Sequence, residues 1–347
     1  MAQFDMPLEK LERYRPVVPE PENFLEFWAL SLHAARELAQ PTSVERVDAG
    51  LTTVVVDDVT FSGFGGQPIK AWLRRPVLST ARKESVELPV IVEYLGYGGG
   101  RGLPHESLTW ASAGFAHLIM DTRGQGGHWG SGGDTPDPDG RSVSAAGWVT
   151  AGIDDPHDHF YRRFYIDAAR AVDAVRELPG LDANRVTVLG TSQGGGAAIA
   201  ATALQSMVGT PPWAAMPNVP FMQDLRRAVE IVDSNPYREL TQYLSVRRSP
   251  GDAEQAWHTM SYLDGVNFAQ YADAPALYSV ALMDETCPPS TVFASYNAWG
   301  EKVHHQSDTK SAVEKQIDVY PYNNHEGGQE YRFPAELAWL ATLGAAS

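Results

Sequence analysis

The segment that most constrains what this chain can fold into is Val186-Thr187-Val188-Leu189-Gly190-Thr191-Ser192-Gln193-Gly194-Gly195-Gly196-Ala197-Ala198. A run of β-branched and aliphatic residues stops at Gly190, a serine stands between two glycines as G-x-S-x-G, and a small, Ala-rich stretch follows. This order reads as strand, sharp turn and helix. A serine on such a turn takes a strained backbone, and glycines two residues to either side let the strand and helix pass closely. Ser192 is therefore expected above a sheet, at a helix N-terminus whose amides attract developing negative charge.

The rest of the chain supplies the sheet that this turn needs. Short apolar runs predict strands at Thr52–Val56, Ile69–Leu73, Pro89–Leu95, Ala116–Met120, Ala276–Leu282 and Gln316–Tyr320. The first two flank a glycine-rich turn at Ser62–Gly66 and read as an antiparallel start. Apolar residues at helical spacing from Pro21 to Gln40 and from Phe164 to Leu178 predict an N-terminal amphipathic helix and a crossover helix. A polar connection is expected between Pro76 and Pro89, and a long surface loop from Ser131 to Ile153. Prolines after the elbow helix suggest helices and loops over 211–264, placed across the edge where open α/β sheets bind ligands. The expectation is an α/β-hydrolase fold: a mostly parallel central sheet with helices on both faces, in a single domain over 1–347. An N-terminal extension covers about 1–45 and a cap-like insertion about 211–264.

In such a sheet the strand C-termini collect on one edge, so the residues just after each strand become neighbours. Those residues are Tyr97, Arg123, Ser192, Asp284 and His325. A serine hydroxyl needs a base, and the base needs an orienting carboxylate. The chain order Ser192, Asp284, His325 is the one expected when an elbow supplies the serine. Glu285, Glu326 and Asp121 compete with Asp284. Asp284 is preferred as the first acid after its strand, Glu326 reads as a brace of the histidine loop, and Asp121 precedes the serine. The backbone N–H groups of Tyr97 and Gln193 occupy the two places where an oxyanion hole takes its donors.

Other chemistries find less support. Formal charge is −16 without a basic block, which disfavours nucleic acid and anionic membranes as partners. No run approaches the length of a membrane span, and the first residues lack a secretory pattern. With Cys287 as the single cysteine no intrachain disulfide forms, and the expectation is a cytoplasmic protein. The glycines of the 96–100 loop lead into no phosphate-binding lysine. His157 and His159, among Asp154, Asp155 and Asp158, match no strong zinc spacing and read as a polar loop. Neither cofactor nor metal is expected, and Cys287 beside two prolines reads as an inert, packed thiol.

Taken together, Arg123-Gly124-Gln125, Gly190-Thr191-Ser192-Gln193-Gly194-Gly195, Asp284 to Phe293 and His325-Glu326 closely resemble carbohydrate esterase family seven. That family comprises the acetylxylan esterases and cephalosporin C deacetylases. The resemblance implies Ser192 as nucleophile, Asp284 and His325 as its partners, Tyr97 and Gln193 as oxyanion donors, and Arg123 and Gln125 in support. Many members carry histidine before the Gly-Tyr of the oxyanion loop, where this chain has Leu95. The resemblance further implies small acetylated substrates and a ring-like homo-hexamer with active sites on an inner cavity. A broad carboxylesterase or serine peptidase is the alternative on the same fold, and a catalytically silent binding protein a third reading.

Overall fold

Alternation along the central strands shows how the layers form. Val90 and Val92 enter one buried cluster, while Ile91 between them enters another on the opposite face. Strands that bury both faces need helices on both sides. The computed structural model describes residues 3–78, 87–140, 146–303 and 312–346. Among them lie nine strands: β1 Ser43–Val47, β2 Val54–Ser62, β3 Pro68–Pro76, β4 Leu88–Tyr94, β5 Ala116–Met120, β6 Leu181–Thr191, β7 Ala214–Asn218, β8 Ala276–Ala281 and β9 Lys315–Tyr320. They form one sheet in the order β1-β2-β3-β5-β4-β6-β7-β8-β9. β1, β2, β3 and β5 pair antiparallel, and the remaining pairs are parallel. The α/β-hydrolase fold expected from the sequence is the fold observed.

The helices are α1 Leu8–Leu11, α2 Phe24–Glu37, α3 Thr109–Ser112, α4 Phe160–Glu177, α5 Gln193–Met207, α6 Leu225–Ile231, α7 Tyr237–Val246, α8 Pro250–Ser261, α9 Gly265–Ala269, α10 Pro289–Ala298 and α11 Arg332–Ala346. Helices α2, α4 and α5 stack on the Val90 and Val92 face, where α2 buries Phe24, Phe27, Trp28, Leu32 and Ala35 as its spacing predicts. Trp110 of α3 and Trp339 and Leu340 of α11 close the other face over Ile91, Leu189 and Met216.

One strand is unannounced in the sequence and one expectation is corrected. β1 lacks a readable signal because it is an edge strand with four of five residues exposed. More consequentially, the insertion expected over 211–264 begins with β7, which lies between β6 and β8 in the sheet. Its sequence, Ala-Ala-Met-Pro-Asn, has no β-branched residue and carries Pro217. Both features argue against an interior strand, and burial overrides them. Helices α6 to α9 form the remainder of the segment. The loop expected from Ser131 to Ile153 is irregular wherever it is described, with 141–145 outside the described residues. The connection before Leu88 falls mostly at 79–86, also outside them. Among the described residues no helix is long and apolar enough to cross a membrane.

The close crossing of β6, α5 and β4 fixes the elbow. A β-carbon on Gly194 would stand 2.0 Å from the Tyr94 carbonyl oxygen, and one on Gly190 would stand 2.2 Å from the Gly194 carbonyl carbon. Neither obstacle is a side chain that can swing aside. Gly194→Ala is therefore expected to lower stability by about 3 kcal/mol or more, read from the urea midpoint. Gly344→Ala, at a helical site with open space, should leave the midpoint unchanged or slightly raised.

Candidate active site

Ser192 lies between β6 and α5 with φ 60° and ψ −120°, a left-handed φ that a serine holds only under constraint. Its N–H donates to the Asn218 carbonyl at 2.9 Å, and its own carbonyl accepts from Gly196 and Phe221 at 3.0 and 2.9 Å. The backbone is thus gripped from β7, from α5 and from the segment after β7. Asn218 is gripped in turn. Its side chain donates to Glu336 at 2.7 Å and accepts from Arg332 at 2.8 Å, both from α11.

The loop after β9 brings His325 over the serine. His325 Nε2 stands 3.0 Å from Ser192 Oγ, and Nδ1 stands 2.8 Å from Asp284 Oδ2. Asp284, fully buried, accepts the backbone N–H groups of Thr286 and Cys287 at 2.8 Å each on its other oxygen. With Oδ1 filled in this way, Oδ2 is left to face the imidazole. In this arrangement Nδ1 donates to the carboxylate and Nε2 accepts from the hydroxyl.

The competing acids have other occupations. Glu326 accepts from Asn323 Nδ2 at 2.8 Å and Asn324 N at 3.0 Å, bracing the histidine loop. Asp121 accepts the amides of Arg101, Asp134 and Thr135. Glu285 contributes its backbone N–H to the Asn324 side chain, which also accepts from His325 N. Cys287 is buried with its thiol against Ser192, and burial, with the Asp284 charge nearby, pushes that thiol well above its ordinary range. It is not a competing nucleophile.

Gln193 is the first residue of α5, so its amide has no acceptor within the helix. Tyr97 lies on the loop leaving β4, and no described residue accepts from its backbone N–H. The two loops are tied through side chains. Gln125 and Gln193 exchange two hydrogen bonds of 3.0 Å, and Gln125 Oε1 also accepts from Gly98 N at 2.8 Å. Gln193 completes its set with Tyr161 and the Leu95 carbonyl. Arg123 is fully buried and stands back from the serine. It forks onto Asp167 and reaches Asp137 at 3.1 Å and Gln67 at 2.6 Å, while Arg163 donates to both oxygens of Asp137. These contacts tie the turn that carries Gln125 to Asp167, Asp137 and Gln67.

The histidine tract of the long loop lies elsewhere. His159 caps α4, accepting from Tyr161 N at 3.1 Å and donating to the Val149 carbonyl at 3.1 Å. Burial lowers its pKa to about 3, which keeps it neutral. His157 sets its ring against Phe27.

Sequence reasoning missed Glu239. This α7 residue accepts a hydrogen bond from the Tyr97 hydroxyl and another from Val149 N at 3.0 Å. The same hydroxyl accepts from Gly147 and Trp148 N–H groups at 3.1 and 3.2 Å, and the ring sits edge-on to Trp148. Burial raises the carboxyl of Glu239, and burial with the adjacent Glu239 charge holds the Tyr97 phenol protonated well above its ordinary range. No local pattern marks Glu239, because it reads as one polar residue on an amphipathic helix.

Comparison with known proteins matches the family described as acetyl xylan esterase over residues 1–343. The chain is 25% identical over 341 residues to the acetyl esterase Axe7A of Xylanibacter ruminicola, covering 95% of this chain and 69% of that protein. Among solved structures, the acetyl xylan esterase from Paenibacillus sp. R4 is 37% identical, with a TM-score of 0.81 and coverage of 98% of this chain and 99% of the other. Acetyl xylan esterase 1 from Thermoanaerobacterium sp. JW/SL YS485 is 30% identical, with a TM-score of 0.82 and coverage of 99% and 100%.

Glu239→Gln can keep the phenol bond only by turning its amide N–H₂ toward the Val149 N–H, so one of the two bonds is lost. Turnover of a small ester should fall by about tenfold with KM little changed, corresponding to one charge-assisted hydrogen bond. Steady-state kinetics on the variant check this, and an unchanged turnover number would remove Glu239 from the site's support.

Proposed function

This chain belongs to the acetyl xylan esterase family, and from that premise we propose that it is a serine esterase deacetylating small acetylated sugars through an acetyl-enzyme. The observation that carries the reading is the run of contacts from Asp284 Oδ2 to His325 Nδ1 and from His325 Nε2 to Ser192 Oγ.

In this mechanism Ser192 Oγ attacks the acetyl carbonyl as its proton passes to His325 Nε2. The negative charge arriving on the carbonyl oxygen is met by the N–H groups of Gln193 and Tyr97. Asp284 accepts from Nδ1–H, which fixes the tautomer and stabilises the imidazolium. When the tetrahedral intermediate collapses, the C–O bond to the sugar breaks and His325 delivers the proton to the departing oxygen. Water then enters, gives its proton to His325 and attacks the acetyl-serine. Collapse of the second intermediate releases acetate and returns the proton to Ser192. Acetylated xylo-oligosaccharides, other sugar acetates and cephalosporin C are the substrates proposed. The family resemblance also supports a homo-hexamer.

Ser192→Ala is expected to lose at least about a thousandfold in turnover of a small acetyl ester and to lose labelling by a serine-directed organophosphate. Retained hydrolysis would sink the assignment. Static light scattering tests the assembly: the expected mass is several times the 37.9 kDa of one chain, and a monomer would overturn it.

A further inference from the structure

Trp129 stands beside the elbow with half of its surface open to solvent, at 51% exposure. Leaving so large an apolar ring uncovered is unfavourable by roughly 25 cal/mol per Å² of exposed apolar area, and here the ring is also held in place. Its indole N–H donates to the Tyr97 carbonyl at 2.7 Å, and its backbone bridges Gly99. The six-membered ring lies against the oxyanion loop. A β-carbon on Gly99 would meet Cζ2, Cη2 and Cε2 of Trp129 at 2.3 to 2.8 Å, so only glycine admits the indole there. A β-carbon on Gly96 would stand 3.4 Å from Trp129 Cζ2 and 4.0 Å from Ser192 Cβ. The indole and the nucleophile therefore flank one backbone position, no further apart than a single sugar ring with its substituents reaches.

A fixed, half-exposed aromatic ring at that distance suits a ligand with a flat apolar face carrying polarised C–H bonds. The negative face of the indole attracts the positive C–H edge, and the contact removes apolar area from water. Pyranose rings present such a face, whereas a short alkyl ester does not. We propose that Trp129 is a sugar-binding platform, on which the pyranose of the acetylated substrate lies while its acetyl group meets Ser192. This rests on the reading above that sugar acetates are the substrates. Trp129 would then set specificity for the carbohydrate part of the ester, and the chemical step would remain with the serine, histidine and aspartate.

The test compares Trp129→Leu with Trp129→Phe. Both lose the indole N–H bond to Tyr97, and only the second keeps a ring. For each protein, kcat/KM is measured on an acetylated methyl xylopyranoside and on triacetin, and the ratio of the two is taken. The ratio cancels any difference in the folded fraction. Trp129→Leu should lower it about five- to tenfold, as expected for loss of one aromatic contact, while Trp129→Phe keeps most of it. An unchanged ratio in Trp129→Leu, or equal falls in both variants, would overturn the platform. A wild-type enzyme that cleaves triacetin but not the xyloside would overturn the platform and leave a serine esterase standing. One that cleaves neither would overturn both readings.

Discussion

The constraint on which the rest depends is the close crossing of β6, α5 and β4, which forces Ser192 into a left-handed backbone. Holding a non-glycine residue there costs on the order of 1 to 3 kcal/mol. Ser192 is held there because its N–H and carbonyl are both engaged, by Asn218, Gly196 and Phe221. The first of these depends on β7, a strand with poor β propensity of its own. What secures Asn218 is α11, the last helix, through Arg332 and Glu336. Arg332 also reaches Asp318 and the Leu277 carbonyl, so one buried guanidinium links β7, β8 and β9. The serine turn and the loop that carries His325 are thereby supported by the same helix.

The two proposed oxyanion donors sit on different strands and need a common reference. The paired amides of Gln125 and Gln193 provide it. Gln193 uses both lone pairs of its oxygen and both hydrogens of its nitrogen, and Gln125 fills both acceptor sites of its oxygen. A carboxylate in either place would set acceptor against acceptor, and a shorter asparagine would not span the gap. Arg123 anchors the turn from behind through two buried aspartates, and its loss would strand the charge of Asp167, since Asp137 keeps Arg163. Supporting residues far from the chemistry thus fix the relative placement of two backbone amides.

Much of this was legible in the sequence because it rests on local pattern or chain order. The elbow needs its glycines at fixed offsets, the strands declare themselves by apolar runs, and serine, aspartate and histidine follow in the order the topology requires. Asp284 could be chosen over Glu285 by its position after β8, and Glu326 could be read as a brace. β7 was hidden because an interior strand can be built from alanine and proline when neighbouring strands and helices bury it. Glu239 and Trp129 were hidden for a different reason. Their importance comes from a partner about 140 residues away in one case and about 30 in the other. Neither leaves a periodicity or motif behind.

Those long-range partners also hold the loop that follows Leu95 without help from its side chain. The carbonyl of residue 95 accepts from Gln193. The loop that follows is held at Gly98 by Gln125, at the Tyr97 carbonyl by Trp129, and at the Tyr97 phenol by Glu239. None of these bonds involves a side chain at position 95. The insertion after β7 is therefore more than a cover over the sheet edge. Through Glu239 on α7 it reaches the phenol of Tyr97, the residue whose amide is proposed as an oxyanion donor. The cap and the oxyanion loop are in this way one mechanical unit, and the loop's rigidity depends on the cap staying in place.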